Sequence, residues 1–195
     1  MIYYFSTEGF MAKKIIGISG SLRTGSFNTA LLRAAQKCVP SDFSLEIASI
    51  KDIPLYNGDE EEANGVPAAV ENLKQKIISC DGLLISTPEY NYGIPGVLKN
   101  TLDWLTRPPK DIPRVFAQRK IGLIGASPSR LGTAFAQNAW LSTLRILNTH
   151  PYFGNTLFVA SAHTLFNAAG NLTDEMTKKL LQDYVKGFCE FIDEK

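Results

Sequence analysis

Short apolar runs alternate with longer amphipathic stretches along this chain, and the two kinds of segment differ in hydrophobic period. The run at residues 13–19 is short, rich in isoleucine and closed by Gly20, which is typical of a buried strand. After Gly20 the period becomes helical, because Ala30, Leu31 and Ala34 fall on one face, and this spacing predicts a helix over 27–39. The same alternation predicts further strands at 43–49, 82–86, 121–125 and 156–160, and further helices at 67–79, from Pro95 to the Pro108-Pro109 pair, at 133–147 and at 174–191.

Five strands that alternate with five helices predict one type of architecture. Each connection crosses over the sheet to place the next strand parallel to the last, so helices cover both faces. We therefore expect an α/β fold with a doubly wound, five-stranded parallel sheet in a single domain, 13–193, and irregular surface connections at 50–66 and 106–118. In such open sheets ligands bind at the carboxyl ends of the strands, which makes the loops after the first, third and fourth strands the important ones.

Composition and charge exclude several classes of protein. Twenty Lys and Arg against nineteen Asp and Glu leave a net charge of +1 over 195 residues, so no overall basic field would attract nucleic acid. No apolar run reaches the roughly 18 residues of a membrane span. Three cysteines, Cys38, Cys80 and Cys189, fit neither a disulfide framework nor a paired metal site, which favours the reducing cytoplasm. Because Met11 opens a second plausible start, we interpret residues 1–12 as an N-terminal extension or alternative start, with an edge strand as the other possibility.

The loop after the first strand has the composition of a phosphate cradle. It reads Gly20-Ser21-Leu22-Arg23-Thr24-Gly25-Ser26-Phe27-Asn28. Its glycines permit tight turns, its hydroxyls and Arg23 donate hydrogen bonds, and the helix that follows contributes free N–H groups. The alternative is a polar turn in which Ser26 or Asn28 caps the helix without any ligand. A triphosphate-binding P-loop is not predicted, because Ser26-Phe27 follows Gly25 where that motif requires Lys and then Ser or Thr.

The loop after the third strand suits a planar heterocycle. It reads Pro88-Glu89-Tyr90-Asn91-Tyr92-Gly93-Ile94-Pro95. Tyrosine faces bury apolar rings, and amide and backbone groups bind the polar edge of a ring. The prolines stiffen the loop, and Gly93 lets the backbone approach a ligand closely. The alternative is a turn whose tyrosines pack on the edge of the sheet or at a subunit contact.

In combination, these two loops closely resemble the NADPH-dependent FMN reductase family, a flavodoxin-like group that includes chromate, quinone and azo-dye reductases. The motifs that carry the resemblance are Gly20-Ser21-Leu22-Arg23 through Ser26 and Asn28, Pro88-Glu89-Tyr90-Asn91-Tyr92, and Pro95-Gly96-Val97-Leu98-Lys99-Asn100. The resemblance implies the strand order 2-1-3-4-5. It also implies that the first loop binds the FMN phosphate, that the second contacts the isoalloxazine ring, and that a Gly-Ala-Ser-Pro turn after the fourth strand closes the site. The FMN-binding residues carried over are Ser21, Arg23, Ser26, Phe27, Asn28, Pro88, Glu89, Tyr90, Asn91 and Ser127.

The activity that the resemblance implies is that of an FMN-dependent NAD(P)H oxidoreductase. Hydride would pass from NADPH or NADH to bound FMN and then to a quinone, flavin, azo or metal-anion acceptor. Because the flavin supplies the redox chemistry, we expect no catalytic side-chain dyad and no metal site, and we interpret His150 and His163 as structural or surface residues. The alternative is a flavodoxin-like electron carrier without its own NAD(P)H turnover, but such carriers tend to be strongly acidic.

The expected partners are a small-molecule electron acceptor and further copies of the chain, as a homodimer or homotetramer, with neither nucleic acid nor membrane. The resemblance suggests the helix over 97–105, with Trp104, as a dimer face. Phe135 stands where relatives often have a basic residue. Arg130 could contact the phosphate of a nicotinamide cofactor, and a solvated loop arginine is the alternative.

Overall fold

Parallel strands form the centre of the protein, which a computed structural model describes over residues 12–194. The strands are β1 (Lys13–Ser19), β2 (Phe43–Ala48), β3 (Gly82–Ser86), β4 (Lys120–Ala126), β5 (His150–Pro151) and β6 (Leu157–Val159). They pair in parallel in the order β2-β1-β3-β4, and both β5 and β6 pair with β4. This arrangement confirms the doubly wound α/β fold and the 2-1-3-4-5 order that the resemblance implied.

The last edge of the sheet consists of two short segments instead of one strand. The strand predicted at 156–160 corresponds to β6, which pairs with the end of β4, whereas β5 pairs with the start of β4 at Lys120 and Ile121. Just beyond β5, the Tyr152 N–H still donates to the Ile121 carbonyl at 2.7 Å. A segment of two residues is too short to show a strand period, so the hydrophobic pattern could not predict β5.

Helices cover both faces of the sheet. They are α1 (Phe27–Gln36), α2 (Gly58–Asn64), α3 (Ala68–Ile78), α4 (Gly96–Leu105), α5 (Ile112–Phe116), α6 (Ala134–Ile146) and α7 (Glu175–Asp193). Side chains of β1 alternate between two cores, since Ile16 and Ile18 pack with α3, α4, α5 and α6, and Ile15 packs with α1 and α7. Both faces are therefore buried, as the apolar runs of the strands require.

Two helices lie in segments that the hydrophobic pattern predicted as irregular. Within 50–66, α2 begins where the Asn57 side chain accepts a hydrogen bond from the Asp59 N–H at 3.0 Å, and its first turn is acidic, which favours a helix N-terminus. No residue of α2 is buried, so it has no apolar stripe that a pattern could reveal. Within 106–118, α5 has five residues, too few to establish a helical period.

Trp104 supports a neighbouring segment and does not form a surface. The residue is 1% exposed, and its indole N–H donates to the Pro54 carbonyl at 2.9 Å. Tyr56 packs edge-on against the indole, with ring centroids 5.0 Å apart. The suggestion that Trp104 forms a dimer face therefore does not hold for this side chain, because the chain around Pro54 and Tyr56 already covers it.

The interpretation of residues 1–12 as an extension or alternative start falls, apart from Ala12, outside the described residues. The single-domain boundary at 13–193 stays a prediction. Along the described chain, no helix combines the length and the apolar character needed to cross a membrane.

Candidate functional site

The loops after β1, β3 and β4 meet at the carboxyl edge of the sheet and enclose a cavity of about 280 Å³. Nine of the ten predicted FMN-binding residues line this cavity, and Asn91 is the exception. Ala126, Pro128 and Ser129 also line it and were not among the residues predicted from the sequence. A signal for them was present, because Ala126 and Pro128 belong to the Gly-Ala-Ser-Pro turn from which Ser127 was predicted, and Ser129 follows that turn directly.

The first wall of the cavity is the loop from β1 to α1. Ser26 caps α1, because its extended backbone (φ −71°, ψ 123°) lets its hydroxyl accept a hydrogen bond from the Thr29 N–H at 3.3 Å. The first turn of α1 contains no acidic residue, so the partial positive charge of its N-terminus is not neutralised there. The exposed Arg23 adds a full positive charge beside it. This combination favours an anion such as a phosphate.

Gly20 allows this loop to contact the loop after β3. A Cβ at Gly20 would lie 2.8 Å from Pro88 Cδ and 2.9 Å from Leu98 Cδ2, both shorter than side chains tolerate. The Gly20 N–H also donates to the Ser86 carbonyl at 2.9 Å, which extends the ladder between β1 and β3 by one bond. Glycine at this position therefore brings the first two walls of the cavity together.

Asn28 lines the cavity, but its side chain is largely occupied by the protein. The residue is 3% exposed, and its Nδ2 donates to the Ala126 carbonyl at 2.9 Å. Its Oδ1 accepts from the Ala126 N–H and from the Ser86 hydroxyl, each at 3.0 Å. Asn28 thus links the start of α1 to the ends of β3 and β4. The sequence left Ser26 and Asn28 as alternative N-caps of α1, and in the structure Ser26 caps the helix.

The second wall is the loop after β3, and α6 holds it from behind. The Glu89 Oε2 accepts a hydrogen bond from the Ala136 N–H at 3.0 Å, in the first turn of α6. Because Thr133 makes no side-chain cap, Glu89 provides an acceptor that α6 otherwise lacks at this end. On the cavity side, the Tyr90 hydroxyl lies 3.5 Å from the Ser21 hydroxyl of the first wall. Asn91 is exposed, has a positive φ of 51° and does not line the cavity.

The third wall is the turn after β4. Ser127 is 6% exposed, and its N–H donates to the Val159 carbonyl at 2.9 Å, which fixes the turn to β6. The Ser129 N–H and hydroxyl both lie 3.2 Å from the Ser127 hydroxyl. This serine pair adds two further hydroxyl groups to the lining of the cavity.

These walls fit FMN. A guanidinium, several hydroxyls and a helix N-terminus suit its phosphate, and the Pro88–Tyr90 side offers apolar and aromatic contact for its ring. A volume of about 280 Å³ lies just below the usual range for ligand sites, so the cavity would hold part of such a molecule, and the rest would extend beyond it. Within residues 12–194, no cluster of three His, Cys, Asp or Glu side chains could hold a metal ion. His150 and His163 are exposed and do not line the cavity.

Fold and site together define a flavodoxin-like flavoprotein. A family profile described as NADPH-dependent FMN reductase matches residues 13–164, so the chain belongs to that family. FMN is therefore its cofactor, NAD(P)H is its co-substrate, and its activity is FMN-dependent reduction by NAD(P)H.

Individual relatives agree with this assignment. An NAD(P)H-dependent FMN reductase of Pseudomonas aeruginosa is 44% identical over 173 residues, which cover 89% of this chain and 91% of that protein. A 2-hydroxy-1,4-benzoquinone reductase of a Burkholderia species is 36% identical and covers 95% of this chain and 99% of its own length. Among solved structures, the flavoenzyme NAD(P)H:(acceptor) oxidoreductase of Paracoccus denitrificans superimposes with a TM-score of 0.83 at 33% identity, over 93% of this chain and 98% of that one.

Proposed function

We propose that this chain is a quinone reductase, which uses NAD(P)H and FMN bound in the cavity between the loops after β1, β3 and β4. The observation that carries the proposal is that one cavity is lined both by a cationic, hydroxyl-rich loop around Arg23 and Ser26 and by a second loop around Pro88 and Tyr90 that offers apolar and aromatic contact. The first wall would hold the FMN phosphate, and the second would contact the ring. Asn91 does not line this cavity, and we propose it as a contact for the part of FMN that would extend beyond the cavity.

Quinones are the acceptors that the comparisons favour. Two similar proteins carry quinone names: the benzoquinone reductase of the Burkholderia species and a quinone reductase of Escherichia coli, which is 33% identical over 184 residues. Free flavin, azo compounds and oxidised metal anions would be tested beside quinones as further acceptors.

The protein's own contribution would be binding and orientation. Bound FMN supplies the two-electron chemistry, so the chain needs no acid–base pair of its own. The Glu89 carboxylate is already engaged with the Ala136 N–H, which leaves it to support the loop instead of acting as a base. Pre-formed walls of this kind accelerate a transfer by holding the reacting groups in contact.

Anaerobic stopped-flow mixing tests the proposal. FMN-loaded protein mixed with NADPH or NADH should lose its flavin absorbance within one turnover, and a second mix with 1,4-naphthoquinone should restore it. Bleaching that is absent or far slower than steady-state turnover would contradict the reductase assignment and favour the electron carrier. Bleaching followed by no reoxidation with the quinone, but rapid reoxidation with another acceptor, would contradict the quinone assignment alone.

We also propose an assembly and a cellular location for the protein. The proposed assembly is a homodimer or homotetramer, which sedimentation of the FMN-loaded protein would test. The described cysteines form no disulfide, which is compatible with the cytoplasm that we propose as its location.

A further inference from the structure

The loop after β3 contains two consecutive residues in the left-handed backbone region. Asn91 has a φ of 51° and Tyr92 a φ of 60°. Asparagine tolerates this region, but a bulky residue such as tyrosine adopts it rarely and at a cost in free energy. Reciprocal hydrogen bonds between Tyr90 and Gly93, at 3.2 and 3.1 Å, close the turn and hold Tyr92 in this conformation. Such strain is typical of functional sites, although Tyr92 itself does not line the cavity.

The strained turn places the Tyr92 ring against a second exposed aromatic residue. Tyr92 and Phe135 pack edge to face, with ring centroids 5.5 Å apart and an interplanar angle of 86°. Tyr92 is 71% exposed and Phe135 is 49% exposed, so each ring presents apolar surface to solvent. We call these two residues the aromatic wall. Exposed aromatic surface held in a fixed geometry is typical of a surface that binds another molecule.

The aromatic wall is fixed to the rim of the FMN cavity from both sides. Phe135 directly precedes Ala136, whose N–H binds the Glu89 carboxylate. Tyr92 follows two residues after Tyr90, which lines the cavity and is itself 48% exposed. The aromatic wall therefore adjoins the rim of the cavity and the first turn of α6, and a molecule that approaches bound FMN from this side would meet the wall.

We propose that the aromatic wall determines acceptor specificity, by contacting planar, uncharged aromatic acceptors as they lie over the flavin. This proposal rests on the quinone reductase function proposed above. Aromatic rings bind one another through apolar area and through the attraction of a ring edge to a ring face. Neither wall residue carries a charge, so an inorganic anion gains nothing from the wall. The wall would therefore favour planar aromatic acceptors over inorganic anions, a distinction that the flavin itself does not make.

Two substitutions remove one ring each. Phe135→Ala truncates the ring on α6, and Tyr92→Asn removes the other ring while keeping a residue that accepts a positive φ. Both variants are loaded with FMN, and kcat and KM are measured with 1,4-naphthoquinone and with ferricyanide as acceptors. We expect kcat/KM for naphthoquinone to fall about ten-fold in each variant, mainly through KM, as the loss of one aromatic contact predicts. For ferricyanide, kcat/KM should change by less than about two-fold, because that anion does not use the rings.

The matched control is Ile146→Ala, which removes an apolar side chain that is 83% exposed at the other end of the same helix. It should leave the ratio of kcat/KM for naphthoquinone to kcat/KM for ferricyanide unchanged.

Three results with the wall variants would each overturn the proposal: an equal loss of kcat/KM for both acceptors, weakened FMN binding, or a change of sedimenting mass. The last result would assign the wall to a subunit contact. If the unsubstituted protein reduces ferricyanide but not naphthoquinone, the quinone function itself fails. If it reduces both and the variants keep the ratio, only the role of the wall fails.

Discussion

Arg23 provides the sharpest single-residue test of the phosphate cradle. The residue is exposed, and the hydrogen bonds it makes in the described structure come from its backbone: its N–H donates to the Ser21 hydroxyl at 3.4 Å, and its carbonyl accepts from the Ser26 N–H at 3.1 Å. Arg23→Ala should weaken FMN binding about 10- to 100-fold, because a charge-assisted bond to a phosphate contributes about 1.5–3 kcal/mol. Fluorescence titration of FMN measures this, and the urea midpoint of the FMN-free protein should hardly change. An unchanged FMN affinity would show that the cradle is wrongly assigned.

Asn28→Ala, in the first turn of α1 directly after this loop, is the matched variant, and we expect it to lower the stability of the protein more than its affinity for FMN. Removing the amide leaves the N–H and carbonyl of Ala126 and the Ser86 hydroxyl without their partner inside the protein. Each unpaired buried group costs about 1–3 kcal/mol, so the FMN-free protein should lose about 2–4 kcal/mol of unfolding free energy. An Asn28→Ala protein that keeps its stability but loses FMN would reverse the roles we give to the two residues.

The kinds of residue at the site could be predicted from the sequence, but the use of each side chain could not. Hydroxyls, glycines and Arg23 in a strand-to-helix loop indicate an anion site from local chemistry alone. Asn28 and Glu89, both predicted to contact FMN, line the cavity, and they also bond to Ala126 and Ala136, 98 and 47 positions away in the chain. Such bonds depend on which strand ends become neighbours, and a local pattern does not contain that information.

At the scale of elements, the apolar stripes predicted every helix that buries a face of two turns or more. The pattern failed where stability comes from polar contacts, as in α2. There Glu61 accepts hydrogen bonds from the Arg107 guanidinium at 2.7 and 2.9 Å, and the Tyr56 hydroxyl donates to Glu61 at 3.1 Å. The Arg107 hydrogen bonds hold the pKa of the Glu61 carboxyl below its usual range. A helix held by polar contacts of this kind, one of them from a side chain 46 positions away, has no periodic signal.

Lys74 holds the segment around α5 in a similar way, and from a buried position. Its ammonium, 1% exposed, lies 2.9 Å from the Arg107 carbonyl, 2.8 Å from Asp111 Oδ2 and 2.7 Å from Glu71 Oε2. Burial alone lowers the pKa of Lys74, but the hydrogen bonds to Asp111 and Glu71 outweigh it and raise the pKa above its ordinary value. The ammonium therefore stays charged and paired, and it joins α3 to the connection between α4 and α5.

Substituting Lys74→Met keeps most of the side-chain volume and removes the charge. The variant should lose about 2–4 kcal/mol of unfolding free energy, since it leaves the Arg107 carbonyl and Asp111 without their buried partner. Urea unfolding measures the loss, and hydrogen exchange should show faster opening at 107–116 than in the central strands. An equal increase of exchange throughout the sheet would mean that Lys74 supports the whole core and not this connection.

At the scale of the whole molecule, the net charge is close to zero, yet the chain contains many specific ion pairs. Glu46 on β2 is an example, because it binds Lys14 of β1 at 2.7 Å and Lys76 of α3 at 2.5 Å. Hydrogen bonds from Lys14 and then from Lys76 lower the pKa of Glu46. Carboxyl groups with a pKa lowered by such contacts occur across the sheet, the helix ends and the connections, namely Glu46, Glu61, Glu71, Asp111 and Asp174.

This distribution predicts an acid limit to stability that arises from many elements together. A carboxyl group whose pKa is lower in the folded state stabilises that state fully above its unfolded pKa, about 4, and loses this contribution as the pH falls through the folded value. The thermal midpoint of the FMN-free protein should therefore be nearly level from about pH 5 to 7 and fall steeply below about pH 4. Glu46→Gln, which cannot titrate, should be less stable than the unsubstituted protein at pH 7 and should show a shallower fall in acid, so that the two curves converge at low pH. Parallel curves down to about pH 3 would mean that Glu46 contributes through its shape and not through its charge.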